Sequence, residues 1–156
     1  MVTIPESNIN DIIDQYQDEQ KYLTDLKSLA NEQPDLIAFI DQENYSLLTN
    51  DEIALLEYLT LVIYFSSMKL IEKTNQIQGK NLEAAEEDNW NTFNEITAKS
   101  FFNKLDIFFK DYPQEDLLAL VEDSIQPDEE NTVTPVGREI IFVASKSIID
   151  TIHQCK

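Results

Sequence analysis

The scarcity of glycine is the feature of this sequence that most restricts its fold. Gly79 and Gly137 are the only two glycines among 156 residues. Tight turns between β-strands depend on glycine, because it adopts positive φ angles without steric cost. A fold made of many hairpins would therefore lack its turn residues. The sequence favours helices, and we expect an all-α fold in a single domain that spans residues 1–156.

The spacing of the apolar residues divides the chain into predicted helices. Apolar residues recur every three or four positions, the spacing that lines one face of a helix. With capping residues, proline and glycine as boundaries, this spacing predicts a compact bundle of five to six helices. Their expected ranges are about 7–31, 34–44, 50–76, 81–111, 114–125 and 135–154.

The helix over about 50–76 is predicted to lie at the centre of the bundle. Its segment from Ile53 to Phe65 is apolar on nearly every side, so it needs neighbours all round. Thr49 and Glu52 have the spacing of a capping box, which marks the start of this helix. The stretches LTLVIYF and EIIFVAS could form strands by propensity. We expect both to be helical. The helical spacing of apolar residues in the first continues over more residues than an ordinary strand contains, and the second has no partner strand.

Two short segments of the chain resemble each other. DLIAFID, residues 35–41, and DLLALVE, residues 116–122, match in residue type at every position. An internal duplication of a long-short-long three-helix unit would explain the match. The common constraint on amphipathic helices would explain it too, and both explanations stay open.

The net charge limits the partners that this chain can bind. Thirty acidic residues against eleven basic ones give a formal charge of -19. Such a surface repels phosphate backbones and anionic lipid headgroups, so we expect neither nucleic acid nor membrane as a partner. No signal peptide or spanning segment is visible, and the single cysteine agrees with a reducing compartment. The expected location is therefore cytoplasmic.

The sequence lacks the residues of the common catalytic and cofactor sites. His153 is the only histidine, and with Cys155 it cannot complete a zinc site of three or four ligands. The chain has no glycine-rich phosphate loop and no Glu-x-x-His motif of a di-iron bundle. We therefore expect no cofactor and no resident metal. The apolar stripe of the last helix predicts a buried Cys155 and an exposed His153.

An acidic run near the start of the fourth predicted helix is the main candidate for a partner-binding surface. It consists of Glu83, Glu86, Glu87 and Asp88. Acidic residues in a first turn also complement the positive end of the helix dipole, which is the structural explanation for the same run. The two explanations differ in whether the carboxylates have a binding role.

Two further charged residues have unusual positions. Arg138 is the only arginine and lies in the first turn of the last helix, where a positive charge opposes the helix dipole. A salt bridge to the loop acids 128–130 could offset it, or Arg138 could contribute to the partner site. Glu19 interrupts the apolar stripe of the first helix, so it is a candidate buried carboxylate.

Two function classes remain after these exclusions. The first is a non-catalytic acidic helical interaction module, such as an adaptor, an inhibitor or an immunity-like protein, that binds a basic protein partner. The alternative is a Mg²⁺- or Mn²⁺-dependent hydrolase that uses clustered carboxylates between helices. The acidity could also reflect only a solubility bias or a salt-adapted host.

Calorimetric titration with Mg²⁺ or Mn²⁺ separates the two classes. We expect weak, salt-sensitive binding spread over the surface, because isolated exposed carboxylates attract cations only through a screened field. A stoichiometric site of micromolar affinity would contradict this prediction and favour the hydrolase.

Overall fold

The computed structural model describes residues 2–41, 43–71, 76–98, 100–127 and 133–154, and within these ranges helices are joined by turns and irregular segments, with no strand. The all-α prediction is confirmed, and both stretches with strand propensity lie inside helices. None of the described helices is long and apolar enough to cross a membrane. In chain order the helices are α1 (Glu6–Gln15), α2 (Glu19–Glu32), α3 (Pro34–Phe39), α4 (Asn50–Met68), α5 (Gly79–Glu95), α6 (Phe101–Phe109), α7 (Glu115–Ser124) and α8 (Pro135–His153).

The helix predicted over 7–31 is two helices, α1 and α2. Tyr16 and Gln17 form a turn, and the side chain of Asp18 then accepts a hydrogen bond from the Gln20 backbone N–H. This N-cap gives the backbone an alternative to a continuous helix. The interruption of the apolar stripe at Glu19 therefore marked a helix break, after which the stripe restarts in a new phase.

The prediction of one helix over 81–111 was wrong in the same way. α5 ends at Glu95, and Ile96 has extended backbone angles. Ser100 then caps α6, its hydroxyl accepting a hydrogen bond from the Asn103 backbone N–H at 3.2 Å. Aromatic side chains pack across the break, because Phe93 of α5 contacts both Phe101 and Phe108 of α6.

The central helix is shorter than predicted. α4 ends at Met68 rather than near residue 76, and residues 72–75 lie outside the described ranges. Ser66 and Ser67 near its end both donate side-chain hydrogen bonds to the Ile63 carbonyl, which competes with regular helix hydrogen bonding. The helix predicted over 34–44 is likewise shorter, since α3 ends at Phe39. The internal duplication stays a prediction.

The centre of the bundle is a pair of helices rather than one helix. α4 is buried continuously from Leu59 to Tyr64, as its apolar sequence predicted. α8 is buried continuously from Ile141 to Asp150 and packs against α4, α5 and α7. A helix with neighbours on several sides buries polar residues together with apolar ones. This arrangement is why α8 holds buried charged residues that its sequence alone did not reveal.

Glu52 joins the N-termini of the two central helices. Its carboxylate completes the predicted capping box with Thr49, and it also accepts hydrogen bonds from the Thr134 backbone N–H at 2.8 Å and hydroxyl at 2.9 Å. Burial alone would raise the pKa of Glu52, but the hydrogen bonds from Thr49 and Thr134 lower it below its usual value. Glu52 is only 1% exposed, so this capping residue is also a buried carboxylate.

Gly137 provides the space that the Glu52 carboxylate occupies. A Cβ atom at position 137 would overlap the carboxyl group of Glu52, whereas a Cβ at Gly79 would lie 3.7 Å from Asp35 Oδ2, an ordinary contact.

We predict that Gly137→Ala lowers the free energy of unfolding by about 2 kcal/mol or more, through overpacking and displaced hydrogen bonds. Gly79→Ala is the matched control and should be neutral or slightly stabilising. Urea denaturation measures the free energy of unfolding of both variants. Equal effects would contradict the conclusion that Gly137 makes room for the Glu52 carboxylate.

Candidate functional site

The acidic run of α5 is divided between exposed and bonded carboxylates. Glu83, Glu87 and Asp88 are exposed, and at about 100° per residue they span an arc of about 140° around the helix. Glu86 lies outside this arc and is half-buried, where its carboxylate accepts a hydrogen bond from the Tyr45 hydroxyl. The structure therefore presents three of the four predicted residues to solvent, and we call Glu83, Glu87 and Asp88 the acidic face.

The acidic face has no cation paired with it among the described residues. The ion pairs within 4.0 Å in the described ranges are Lys21–Asp25, Lys69–Asp11 and Lys146–Asp150. Tyrosine hydroxyls also donate hydrogen bonds to carboxylates outside the acidic face, as in Tyr16–Asp25, Tyr22–Glu57, Tyr45–Glu86 and Tyr112–Asp150. Burial and the adjacent carboxylates raise the pKa of Tyr16, Tyr22 and Tyr45. These hydroxyls remain neutral donors at physiological pH.

Arg138 and Glu19 do not join the acidic face. Arg138 donates from Nε to the Ile125 carbonyl at 2.7 Å, so it closes the C-terminal end of α7. Its predicted acidic partners, residues 128–130, lie outside the described ranges. Glu19 is exposed in the first turn of α2, so it is not the buried carboxylate that the sequence suggested. An acidic first-turn residue stabilises its helix through the dipole, which is a structural role.

The prediction of an exposed His153 was wrong. The imidazole is 7% exposed, and its Nε2 lies 2.9 Å from the hydroxyl of Ser67 on α4. Burial lowers the pKa of His153 to about 4, so the ring is neutral near pH 7. The error came from treating α8 as a surface helix. Cys155, predicted to be buried, lies outside the described residues.

A cleft of about 870 Å³ opens beside the acidic face. α5 forms one wall, the end of α6 and the turn after it form the second, and the C-terminal half of α8 forms the third. Asp88 of the acidic face lines it, as do Ile107 and Asp111 on the opposite wall. A volume of this size lies within the range of small-molecule sites in proteins.

The cleft has a buried ion pair in its wall. Lys146 Nζ donates to Asp150 Oδ2 and to Asn89 Oδ1, both at 2.8 Å. Asn89 and Tyr112 each donate a further hydrogen bond to Asp150. All four residues line the cleft and are at least nine-tenths buried. The group links α5, the turn after α6, and α8, and we call it the Lys146–Asp150 network.

Sequence reasoning did not identify the Lys146–Asp150 network. Lys146 and Asp150 have the i, i+4 spacing of a helical ion pair, and they stand among apolar neighbours in α8. That signal was present, but the same spacing is common on exposed helix faces. Only the fold shows that the Tyr112 hydroxyl reaches Asp150.

The described residues contain no group of three or more histidine, cysteine, aspartate or glutamate side chains placed to hold a metal ion. The metal-dependent alternative needs such a convergence of carboxylates. Asp88, Asp111 and Asp150 do share the cleft, but Asp150 is already bonded to Lys146.

Comparison with known proteins adds no assignment. No protein-family model matches the chain, and no curated protein and no solved structure matches it either. The roles of its residues therefore follow from their geometry and chemistry.

The buried position of the Lys146–Asp150 pair predicts strong coupling between its members. Lys146→Met or Asp150→Leu should each cost about 3–5 kcal/mol of stability, because each leaves the other charge buried without its partner. The double variant should cost clearly less than the sum of the two. Urea denaturation measures all three free energies of unfolding.

The Lys21–Asp25 pair is the matched control for this cycle. It has the same residue types at the same spacing, but the Lys21 side chain is 43% exposed, and the buried Asp25 keeps its hydrogen bond from the Tyr16 hydroxyl when Lys21 is replaced. Lys21→Met should therefore change stability by no more than about 1 kcal/mol. Additive costs for Lys146→Met and Asp150→Leu would show that the buried pair is not coupled.

Proposed function

We propose that this protein is a cytoplasmic, non-catalytic interaction module, of the adaptor, inhibitor or immunity-like kind, whose partner is a basic protein. The acidic face of α5 is the proposed binding surface. The observation that carries the proposal is the exposure of Glu83, Glu87 and Asp88 with no cation paired to them in the described part of the chain.

The arrangement of charge supports a basic partner. Where carboxylates are buried, as at Glu52 and Asp150, the fold supplies several hydrogen-bond donors to each. No described side chain donates a hydrogen bond to the carboxylates of the acidic face, so their negative electrostatic field extends into solvent. A field of this sign speeds the encounter with a cationic surface and disfavours acidic competitors.

The helix that presents the acidic face is held on both sides. Asp35 of α3 accepts a hydrogen bond from the Gly79 backbone N–H at 2.9 Å, and Tyr45 bonds Glu86. On its other side, Asn89 bonds Ser147 and Asp150 of α8. These hydrogen bonds fix the direction of α5, so the three carboxylates are already in one arrangement when a partner binds. The helix therefore loses little conformational freedom on binding.

Neutralising the acidic face tests the proposal. The variant Glu83→Gln, Glu87→Gln, Asp88→Asn leaves the bonded Glu86 unchanged. With a fluorescent decapeptide of alternating lysine and alanine as probe, we expect association at low salt to slow by roughly tenfold and its salt dependence to flatten. Stopped-flow fluorescence measures the rate, and circular dichroism should show an unchanged helical fold.

The control variant removes the same charge from other helices. Glu6→Gln, Glu115→Gln, Asp123→Asn changes exposed residues of α1 and α7, neither of which packs closely on α5. It should slow association far less than the acidic-face variant. Equal slowing by the two variants would mean that only the net charge matters, as the solubility explanation requires.

A further inference from the structure

The cleft beside α5 has features that the binding of a basic protein does not require. Its wall contains the Lys146–Asp150 network, and its rim has the exposed carboxylates of Asp88 and Asp111 together with the exposed Lys110. Ile107 is 53% exposed and lines the same cleft, so an apolar surface lies next to the charged groups. Charges of both signs and an apolar contact therefore occur within one cavity.

Lys146 lines the cleft, and its ammonium group has one N–H donor more than its hydrogen bonds to described residues use. Its ammonium group has three N–H donors, and two of them bond Asn89 and Asp150. The nitrogen lies 4.8 Å from the centre of the Tyr112 ring and 5.5 Å from that of Phe108. Tyrosine and phenylalanine rings form no strong hydrogen bond with the third N–H. An acceptor atom of a ligand in the cleft would form one with a charged donor.

The charges around the cleft restrict the ligand that it can hold. A purely anionic molecule is repelled at long range by the net charge of -19. A purely cationic molecule would place its charge close to the Lys146 ammonium in a poorly solvated wall. A molecule with an ammonium group at one end and a carboxylate at the other avoids both penalties.

We propose that this cleft binds a small zwitterion of the amino-acid type. Its carboxylate accepts a hydrogen bond from Lys146, and its ammonium group lies between the rim carboxylates of Asp88 and Asp111. Ile107 and Ala85 contact its apolar side chain. This site shares Asp88 with the acidic face but does not require the proposed protein partner.

The buried ion pair is consistent with a binding role. Replacing a buried pair by apolar residues of similar volume is often neutral or stabilising, so stability alone does not explain why a fold keeps one. Here Asn89 and Asp150 hold the Lys146 ammonium in a fixed position before any ligand arrives, and Tyr112 in turn donates to Asp150. A fixed donor lowers the ordering cost of binding.

Leucine and its capped derivatives test the proposal by isothermal titration calorimetry. Leucine has both charges, N-acetyl-leucine keeps only the carboxylate, and leucinamide keeps only the ammonium group. We expect leucine to bind at one site and each capped form to bind at least about tenfold more weakly, because each loses a charged hydrogen bond. The proposal is overturned if leucine fails to bind at concentrations up to about 10 mM, a limit that corresponds to very weak affinity. Equal binding of either capped form would also overturn it.

Variants of the rim make the assignment specific. Asp88→Asn with Asp111→Asn removes the ammonium partners without altering the buried network, and asparagine tolerates the positive φ of 56° at position 111. This variant should weaken leucine binding by at least about tenfold. The matched control, Asp14→Asn with Asp123→Asn, changes exposed residues elsewhere and should bind as the unmodified protein does. Equal affinity of the rim and control variants would contradict the site.

Discussion

The hydrogen bonding of Glu52 is the interaction on which the rest of this structure depends. One carboxylate accepts donors from the starts of both central helices, and Gly137 leaves room for it. Because α4 and α8 begin at this shared point, their apolar lengths are aligned for packing. α5 then packs against α8, so the direction in which the acidic face points depends on the same Glu52 hydrogen bonds.

The fold separates the carboxylates of a very acidic chain into two groups. Those that are buried have hydrogen-bond donors, as Glu52 has from Thr134 and Asp150 has from Lys146, Asn89 and Tyr112. Without such donors, a buried carboxylate would be costly. The exposed group on α5 is solvated and lacks a cation partner among the described residues. This separation means that the unpaired charge is presented on a stable scaffold rather than within it.

Sequence reasoning recovered the parts of this fold that depend on local chemistry. The capping box at Thr49 and Glu52, the helical state of LTLVIYF and the exposure of Glu83 are local properties, and they could be predicted. The breaks near Asp18 and Ser100 were missed because a single capping side chain can end an otherwise continuous periodic pattern.

The buried network required knowledge of the tertiary packing. Lys146 and Asp150 look like a surface ion pair until α8 is known to have neighbours on several sides, and His153 looked exposed for the same reason. The cleft itself combines α5, the turn after α6, and α8, which are far apart in sequence. No local pattern in the chain places these three segments together.

Residue-level mapping tests most directly whether the acidic face is the binding surface. The measurement is the change in backbone amide NMR shifts when the isotope-labelled protein is titrated with the lysine-alanine decapeptide. We expect the changes to concentrate in α5 around Glu83, Glu87 and Asp88. Changes of similar size over the acidic first turns of α1, α4 and α7 would contradict this expectation, because they would show that the peptide follows the overall charge and not this face.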